Sequence, residues 1–255
     1  MDETNSKIIA RIENVTLAFG ERVVLKNCYL DIVEGAITCI IGLSGAGKST
    51  ILRLLDGLIM PNEGHVYIRG RDICHMSEEQ LNRVRQKISL SFQFSALLDS
   101  LTVGENVALP LREHTKLSEA EIRRTVMDSL ESVGLTQAYD NLPAELSGGM
   151  LKRAGFARAI VTQPELVLYD EPTTGLDPIV QNLITDTILR LREMLNGTAV
   201  VISHDLQSIF TMADYVAMLF EGAIIAYDTA KDIRTSPNPI VQQFLQGSEV
   251  GPIPL

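Results

Sequence analysis

One stretch constrains this chain more than any other: "GLSGAGKST", Gly42 to Thr50. It fits G-x-x-x-x-G-K-[ST], follows the apolar run "AITCII" and opens a helical pattern. Gly42, Leu43, Ser44, Gly45, Ala46 and Gly47 form a turn in which glycine lets the backbone curl around an anion. Backbone N–H groups at such a turn, reinforced by the helix dipole, attract phosphate oxygens. Lys48 extends a cation toward the β- and γ-phosphates, the Ser49 hydroxyl is a Mg²⁺ ligand, and Thr50 closes the motif. A strand, this loop and a helix in that order belong to an α/β core with a buried parallel strand. ATP and Mg²⁺ are the implied ligands.

The remaining pattern fits around that core. "IIARIENVTLAF" and "VVLKNCYLDIV" alternate loosely and predict strands of an antiparallel layer. "HVYIRG" and "KISLSF" predict further strands, with Ser77 and Gln80 at capping-box spacing between them. From residue 96 to 160 the signals are helical. Ser118 and Glu121 form a capping box, and Ile122, Val126, Leu130 and Val133 make one apolar face. After Pro164 the alternation resumes with "ELVLYD", a helix from Pro178 to Leu195, "TAVVIS", "YVAMLF" and "AIIAYD". The expected organisation is one domain over residues 7–246. Its core is formed by 7–95 and 161–234, a helical subdomain covers about 96–160, and 247–255 is a short tail.

A second set of residues carries chemistry. The strand "LVLYDEP" ends in two carboxylates, and in this fold class such a strand end serves the phosphate loop. Asp170 suits the Mg²⁺ shell. Glu171 suits the base that orients or deprotonates an attacking water. His204 ends the strand "VVISHD" and can donate a hydrogen bond to a γ-phosphate. Gln93 in "SFQFS" stands where the core hands over to the helical insert, in reach of Mg²⁺ or its water. Asp177 before Pro178 is a regular helix start, with Asp as cap and Pro at the first position. "LSGGM" then supplies a second glycine-rich helix mouth, Ser147, Gly148 and Gly149. One triphosphate has one γ-phosphate, so a second anion site is economical if it closes over the nucleotide of a two-fold partner.

Net charge excludes one class of partner. The formal charge is −10, which argues against nucleic acid. Cys28, Cys39 and Cys74 show no paired spacing and are expected to be free thiols of a reducing compartment. "MDETNSK" has no features of a signal or transit peptide. No apolar run reaches the roughly 18 residues of a bilayer span.

The motifs in their order, "GLSGAGKST", "LSGGM", "LVLYDEPTTGLD" and "VVISHD", resemble those of ABC ATPases from Arg11 to about Leu245. The resemblance implies an α/β P-loop NTPase fold with an antiparallel β layer and an inserted α-helical subdomain. It implies a head-to-tail homodimer with two ATP sandwiches. It implies Phe19 of "LAFG" as the adenine platform, where Tyr is commoner. It also implies that Gln93 and the insert meet an integral membrane permease. Met150 departs from the commoner Gln of the signature, while Ser147 and the backbone N–H groups are retained. "ALPLREHT", "LSGGM" with its following "KR", and the tail "QFLQGSEVGPIPL" are similar to one subgroup, the ATPases of Mce/Mla-type phospholipid transporters. That subgroup implies an Mce-domain subunit and a place on the cytoplasmic face of the inner membrane. Charged insert residues such as Glu105 and Arg112 are expected on the docking surface. The rival readings are a transport ATPase for a polar solute or lipoprotein release, a soluble non-transport ABC ATPase, and a small-molecule kinase.

Overall fold

Alternating apolar residues at the start of the chain build a long hairpin, β1 (Ile8–Phe19) and β2 (Arg22–Val33). In the computed structural model, which describes residues 7–92 and 96–254, β1 carries a bulge around Asn14. Asn14 has φ 51°, and the bulge re-phases the strand so that Ile12 and Val15 are both buried. Next come β3 (Ile37–Ile41), α1 (Lys48–Leu55), β4 (Glu63–Ile68), β5 (Arg71–Asp72) and α2 (Glu78–Arg85). The middle of the chain holds β6 (Ile88–Ser91), α3 (Val103–His114), α4 (Glu119–Ser132) and α5 (Gly148–Ile160). β7 (Leu166–Asp170), α6 (Pro178–Leu195), β8 (Thr198–Ile202) and α7 (Leu206–Met212) follow. β9 (Tyr215–Phe220), β10 (Ala223–Thr229) and α8 (Pro239–Gln246) complete the order.

The chain groups into two compact units, Met1–Leu81 with Thr198–Leu255, and Asn82–Gly197. The first unit has two sheets. One is antiparallel, in the order β2-β1-β4-β5. The other runs β10-β9-β3-β8, with β3 parallel to both β8 and β9. All five residues of β3 are buried, as an unbroken apolar run in a parallel sheet should be. The register Ile40↔Ile202 fixes which chain ends emerge together at the top of β3 and β8.

At its C-terminus this unit ends in a side-chain latch. Gln243 on α8 donates to the carbonyls of Ser248 and Ile253 and accepts the Ile253 N–H at 2.6 Å. Ile253 is thereby buried against the helix that precedes it. A Cβ on Gly251 would lie 2.3 Å from the Gln243 amide, so glycine is needed at that crossing.

The second unit sets β6 parallel to β7, from Ile88↔Leu166 to Ser91↔Tyr169, beside the helical segment. Both expected capping boxes form: Ser118 with Glu121, and in the first unit Ser77 with Gln80. The α4 face of Ile122, Val126 and Leu130, with Val133 following, is buried. Asn106 is a fully buried polar hub. Its Nδ2 donates to the carbonyls of Leu98, Leu101 and Thr102, and its Oδ1 accepts the Leu98 N–H. One side chain therefore holds the irregular run that leads into α3, and its hydrogen-bonding capacity is filled. The two charges expected on the docking surface each have a partner within the unit, Arg112 staying exposed and Glu105 half-buried. Glu105 completes the capping box with Thr102, and Arg112 makes a paired contact with Glu119.

The three cysteines carry free thiols, with Cys28 and Cys39 buried. Among the described residues no helix is long and apolar enough to cross a membrane.

Candidate functional site

The nucleotide-type residues gather in the first unit. β3 delivers the chain to Gly42, and α1 starts at Lys48 with no acidic residue in its first turn. Its N-cap, Gly47, has φ 106° and provides no side-chain cap, so the helix mouth depends on backbone groups and whatever they bind. The loop is also squeezed. A Cβ on Gly42 would lie 2.2 Å from the Leu219 carbonyl oxygen, and one on Gly47 2.9 Å from Val24 Cγ1. Lys48 is nearly buried, and its Nζ donates to the carbonyls of Gly42 and Leu43, each at 2.8 Å. The ammonium is thus folded into the curve of the loop, where phosphate oxygens would compete for its protons.

Two further candidates lie in the same unit. Phe19 is half exposed at the end of β1 and pairs in register with Arg22. The Arg22 guanidinium comes to 4.0 Å of the position a Gly45 Cβ would take. His204 is exposed two residues beyond β8, and Gly42 lies two residues beyond Ile40, its register neighbour's strand. Its flanks are fixed. Ser203 Oγ accepts the Asp205 N–H, and Asp205 caps α7 through Gln207 and Ser208.

The second unit holds the carboxylates and the signature helix. Asp170 ends β7, and Glu171 follows with φ 50°, a left-handed conformation that costs a non-glycine residue. Thr174 Oγ1 donates to Glu171 Oε2 at 3.1 Å and aims the carboxylate. Phe156 of α5 packs edge-on against Tyr169 of β7, ring centroids 5.0 Å apart, which locks the helix onto the strand. That contact brings Lys152 to the acidic pair. Burial lowers its pKa, and the charges of Glu171 and Asp170 oppose the shift.

The mouth of α5 is organised by Ser147, whose Oγ accepts the Met150 N–H at 3.3 Å. A Cβ on Gly149 would lie 2.6 Å from Val180 Cγ1, and one on Gly148 3.4 Å from Leu176 Cδ2. Gly149 therefore has a packing reason, letting the start of α6 approach, whereas the contact at Gly148 is an ordinary one. Asp177 sits at that start and caps it through the N–H groups of Ile179 and Val180. Gln93 lies outside the described residues. The same unit carries an open cleft of about 450 Å³, lined in part by Arg85, Leu111, His114, Leu117 and Arg158.

Phe19, Gly42 to Thr50 and His204 thus belong to one unit, the last two on adjoining strand ends. The other unit holds Ser147 to Gly149 beside the start of α6 that Asp177 caps, and Asp170 and Glu171 at the end of β7. Three contributors escaped the sequence reading: Arg22, Lys152 and Asn106. Arg22 could have been suspected from its place opposite Phe19 in a tight hairpin. A lysine on a helix gives no sign that it will be buried against acids, and an asparagine gives none that it will be buried at all.

Comparison with known proteins bears on the family. The sequence pattern of the family described as "ABC transporter" matches residues 25–174. The chain is 42% identical to the intermembrane phospholipid transport system ATP-binding protein MlaF of Haemophilus influenzae, covering 96% of this chain and 93% of that one. A probable ribonucleotide transport ATP-binding protein, mkl of Mycobacterium leprae, is 37% identical over 96% of this chain and 71% of its own length. Among solved structures, cbiO1 of Clostridium perfringens, part of an ABC transporter complex, superimposes with a TM-score of 0.83 at 27% identity, covering 94% of this chain and 95% of that one. A dimeric post-hydrolysis state of the cassette MJ0796, bound to ADP and Pi, gives 0.79 at 32% identity, covering 87% and 98%. The loop with its buried lysine, the acidic strand end and the serine-capped glycine mouth all lie on a chain related throughout its length to these cassettes; it belongs to the ABC transporter family, as an ATP-binding, ATP-hydrolysing cassette.

Proposed function

We propose that this chain powers phospholipid transport between membranes, acting as a homodimer beneath an integral membrane permease on the cytoplasmic face of the inner membrane. The observation that carries the reading is 42% identity over nearly the full length of both chains to a phospholipid transport ATPase. An Mce-domain subunit completes the assembly in this reading. The mkl relative names another cargo, but matches at lower identity and over less of its length.

Each residue has a proposed task. Phe19 stacks on adenine, which its half-exposed ring suits. The backbone from Gly42 to Gly47 takes the phosphates, and Lys48 transfers its hydrogen bonds from loop carbonyls to phosphate oxygens. Ser49, Gln93 and Asp170 are oxygen donors, the set that Mg²⁺ prefers. When bound, Mg²⁺ neutralises charge on the β- and γ-phosphates. Glu171 holds the attacking water and accepts its proton, with Thr174 fixing its direction. His204 donates to the γ-phosphate. Ser147, Gly148 and Gly149 of one subunit, with Asp177, close over the nucleotide of the other. The cleft of about 450 Å³ in the second unit is the proposed seat of a permease helix.

The test is reconstitution. The chain, with its permease and Mce-domain subunit, is placed in donor liposomes, and labelled phospholipid transfer is followed with ATP and with the Glu171→Gln variant. Transfer should require ATP and fail in the variant. A complex that hydrolyses ATP yet moves no phospholipid would remove the cargo assignment and leave the ATPase. For the dimer, cysteines at Ser147 and Ser49 in the Glu171→Gln background should cross-link between subunits only with ATP. Links confined to single chains would defeat the sandwich.

A further inference from the structure

We propose that His65, Asp72 and His75 form a second metal site, for a borderline divalent ion of the zinc class, on the antiparallel sheet of the first unit. It is independent of the nucleotide site and of the Mg²⁺ chemistry proposed there. One donor atom from each of the three residues lies within 4.8 Å of the other two. Among the described residues this is the single group of three such donors. Ligands of one tetrahedral zinc, at bonds of about 2.0–2.2 Å, stand about 3.4 Å from one another. Closure therefore needs movements of about an ångström, and His75 is exposed and can turn.

The backbone presents two of the ligands. His65 is on β4 and Asp72 ends β5, and the two strands pair with Tyr67 opposite Asp72 and Ile68 opposite Arg71. His65 Nδ1 stands 2.8 Å from Asp72 Oδ2. The second oxygen, Oδ1, accepts the Cys74 N–H at 3.0 Å, so the turn itself orients the carboxylate. His75 follows that turn, and its ring meets the His65 ring edge-on with centroids 6.1 Å apart. A bound ion would replace the proton shared by Nδ1 and Oδ2, and the Cys74 N–H on Oδ1 is the outer support that ligating carboxylates use. Glu13 lies directly opposite His65 on β1, so its side chain shares that face and adds negative charge.

Chemistry narrows the ion. Two imidazoles and one carboxylate suit Zn²⁺, Ni²⁺ or Cu²⁺, whereas Mg²⁺ prefers an all-oxygen shell. Three protein ligands leave a position for water. Cys74 is not part of the set: its Sγ accepts the Val66 N–H. A bound ion would tie the two-residue β5 and its turn to β4, which otherwise rests on a short ladder.

Calorimetric titration of Zn²⁺ into the full chain, in millimolar Mg²⁺ and without nucleotide, tests this. One equivalent per chain should bind with a micromolar Kd, and Tm should rise by a few degrees. His65→Gln and His75→Gln should each weaken binding at least tenfold. His114→Gln and Cys74→Ser should not. The chain has four histidines, so Cu²⁺ can report the ligands of the unmutated protein. Its electron paramagnetic resonance spectrum should show two coupled nitrogens, a measurement that holds even where a variant folds poorly. Absence of saturable Zn²⁺ binding, binding retained by both histidine variants, or a spectrum without coupled nitrogen would overturn the site. His65 and Asp72 would then be an ion pair bracing the hairpin, and the ATPase assignment would stand unchanged.

Discussion

Two helices of this chain begin in glycine, and the glycines serve opposite purposes. At α1, Gly47 has φ 106°, Gly45 has φ 75°, and no side chain caps the helix. There glycine is demanded by backbone conformation, and the first N–H groups of the helix have no side-chain cap. At α5, Gly148 and Gly149 have ordinary helical dihedrals, and Ser147 caps in the regular way. There Gly149 is demanded by a neighbour, Val180, which occupies the space of a side chain. The first mouth leaves its backbone donors uncapped, as the proposed phosphate contacts need. The second is a well-formed helix start, pressed against α6, whose exposed serine can engage a ligand that arrives from elsewhere. Glycine content alone makes the two look alike; only the dihedrals and the contacts tell them apart.

The largest effect should separate binding from turnover. Glu171→Gln removes the proposed base and should lower ATP hydrolysis about 10²–10⁴-fold with ATP affinity retained. Lys48→Ala removes a charged hydrogen bond from the first mouth and should weaken ATP binding about 10- to 100-fold. Equilibrium nucleotide binding and steady-state hydrolysis on both variants check the pair. Equal losses of affinity in both would erase the distinction between the two units.

A smaller effect distinguishes conformational from steric glycine. Gly47→Ala meets both a left-handed backbone and Val24, and should cost about 1–3 kcal/mol. Gly149→Ala meets Val180 alone and should cost about 1–3 kcal/mol by overpacking. Val180→Ala should then rescue Gly149→Ala, whereas Val24→Ala should leave most of the Gly47→Ala loss. Denaturant titrations on both double-mutant cycles measure this. Full rescue at Gly47 would show that its backbone conformation matters less than its neighbour.

The smallest effects sit on the second cap. Ser147→Ala should cost about 1 kcal/mol of stability through the lost cap. Met150→Gln should shift stability by no more than about 0.5 kcal/mol, because Met150 contributes its backbone N–H to that cap. Thermal melts of the two variants rank them. Ser147→Ala should also reduce hydrolysis well beyond what its stability loss explains, while Met150→Gln should keep turnover near that of the parent.

Much of this was legible before any coordinates. The α1 start at Lys48, the buried β3 run, the Ser118–Glu121 box and the helix from Pro178 to Leu195 follow from short-range rules and are present. Capping and periodicity act over four residues, so four residues suffice to read them. What failed to show acts over distance. Glu105 is the exception: its cap partner Thr102 stands three residues before it, at the legible capping-box spacing, and the expectation of a docking charge passed over it. Lys152 reads as a solvent-facing member of a basic helix because its carboxylate neighbours are 18 and 19 positions away. The reason for Gly149 lies on another helix. For the site, the chemical types were legible and their supports were not: Thr174 aiming Glu171, Arg22 approaching Gly45, and the strained dihedral of Glu171.

The Gln243 latch has a consequence in hydrogen exchange. Tail amides that meet only solvent exchange at nearly the rate of an unfolded peptide. The Ile253 amide is buried and bound to a side chain on α8, so it can exchange only when that contact opens. It should appear as an isolated slow amide in an otherwise fast segment. Its rate would report the opening of one glutamine contact instead of the unfolding of a secondary-structure element, giving a built-in gauge of how firmly this end of the chain is held.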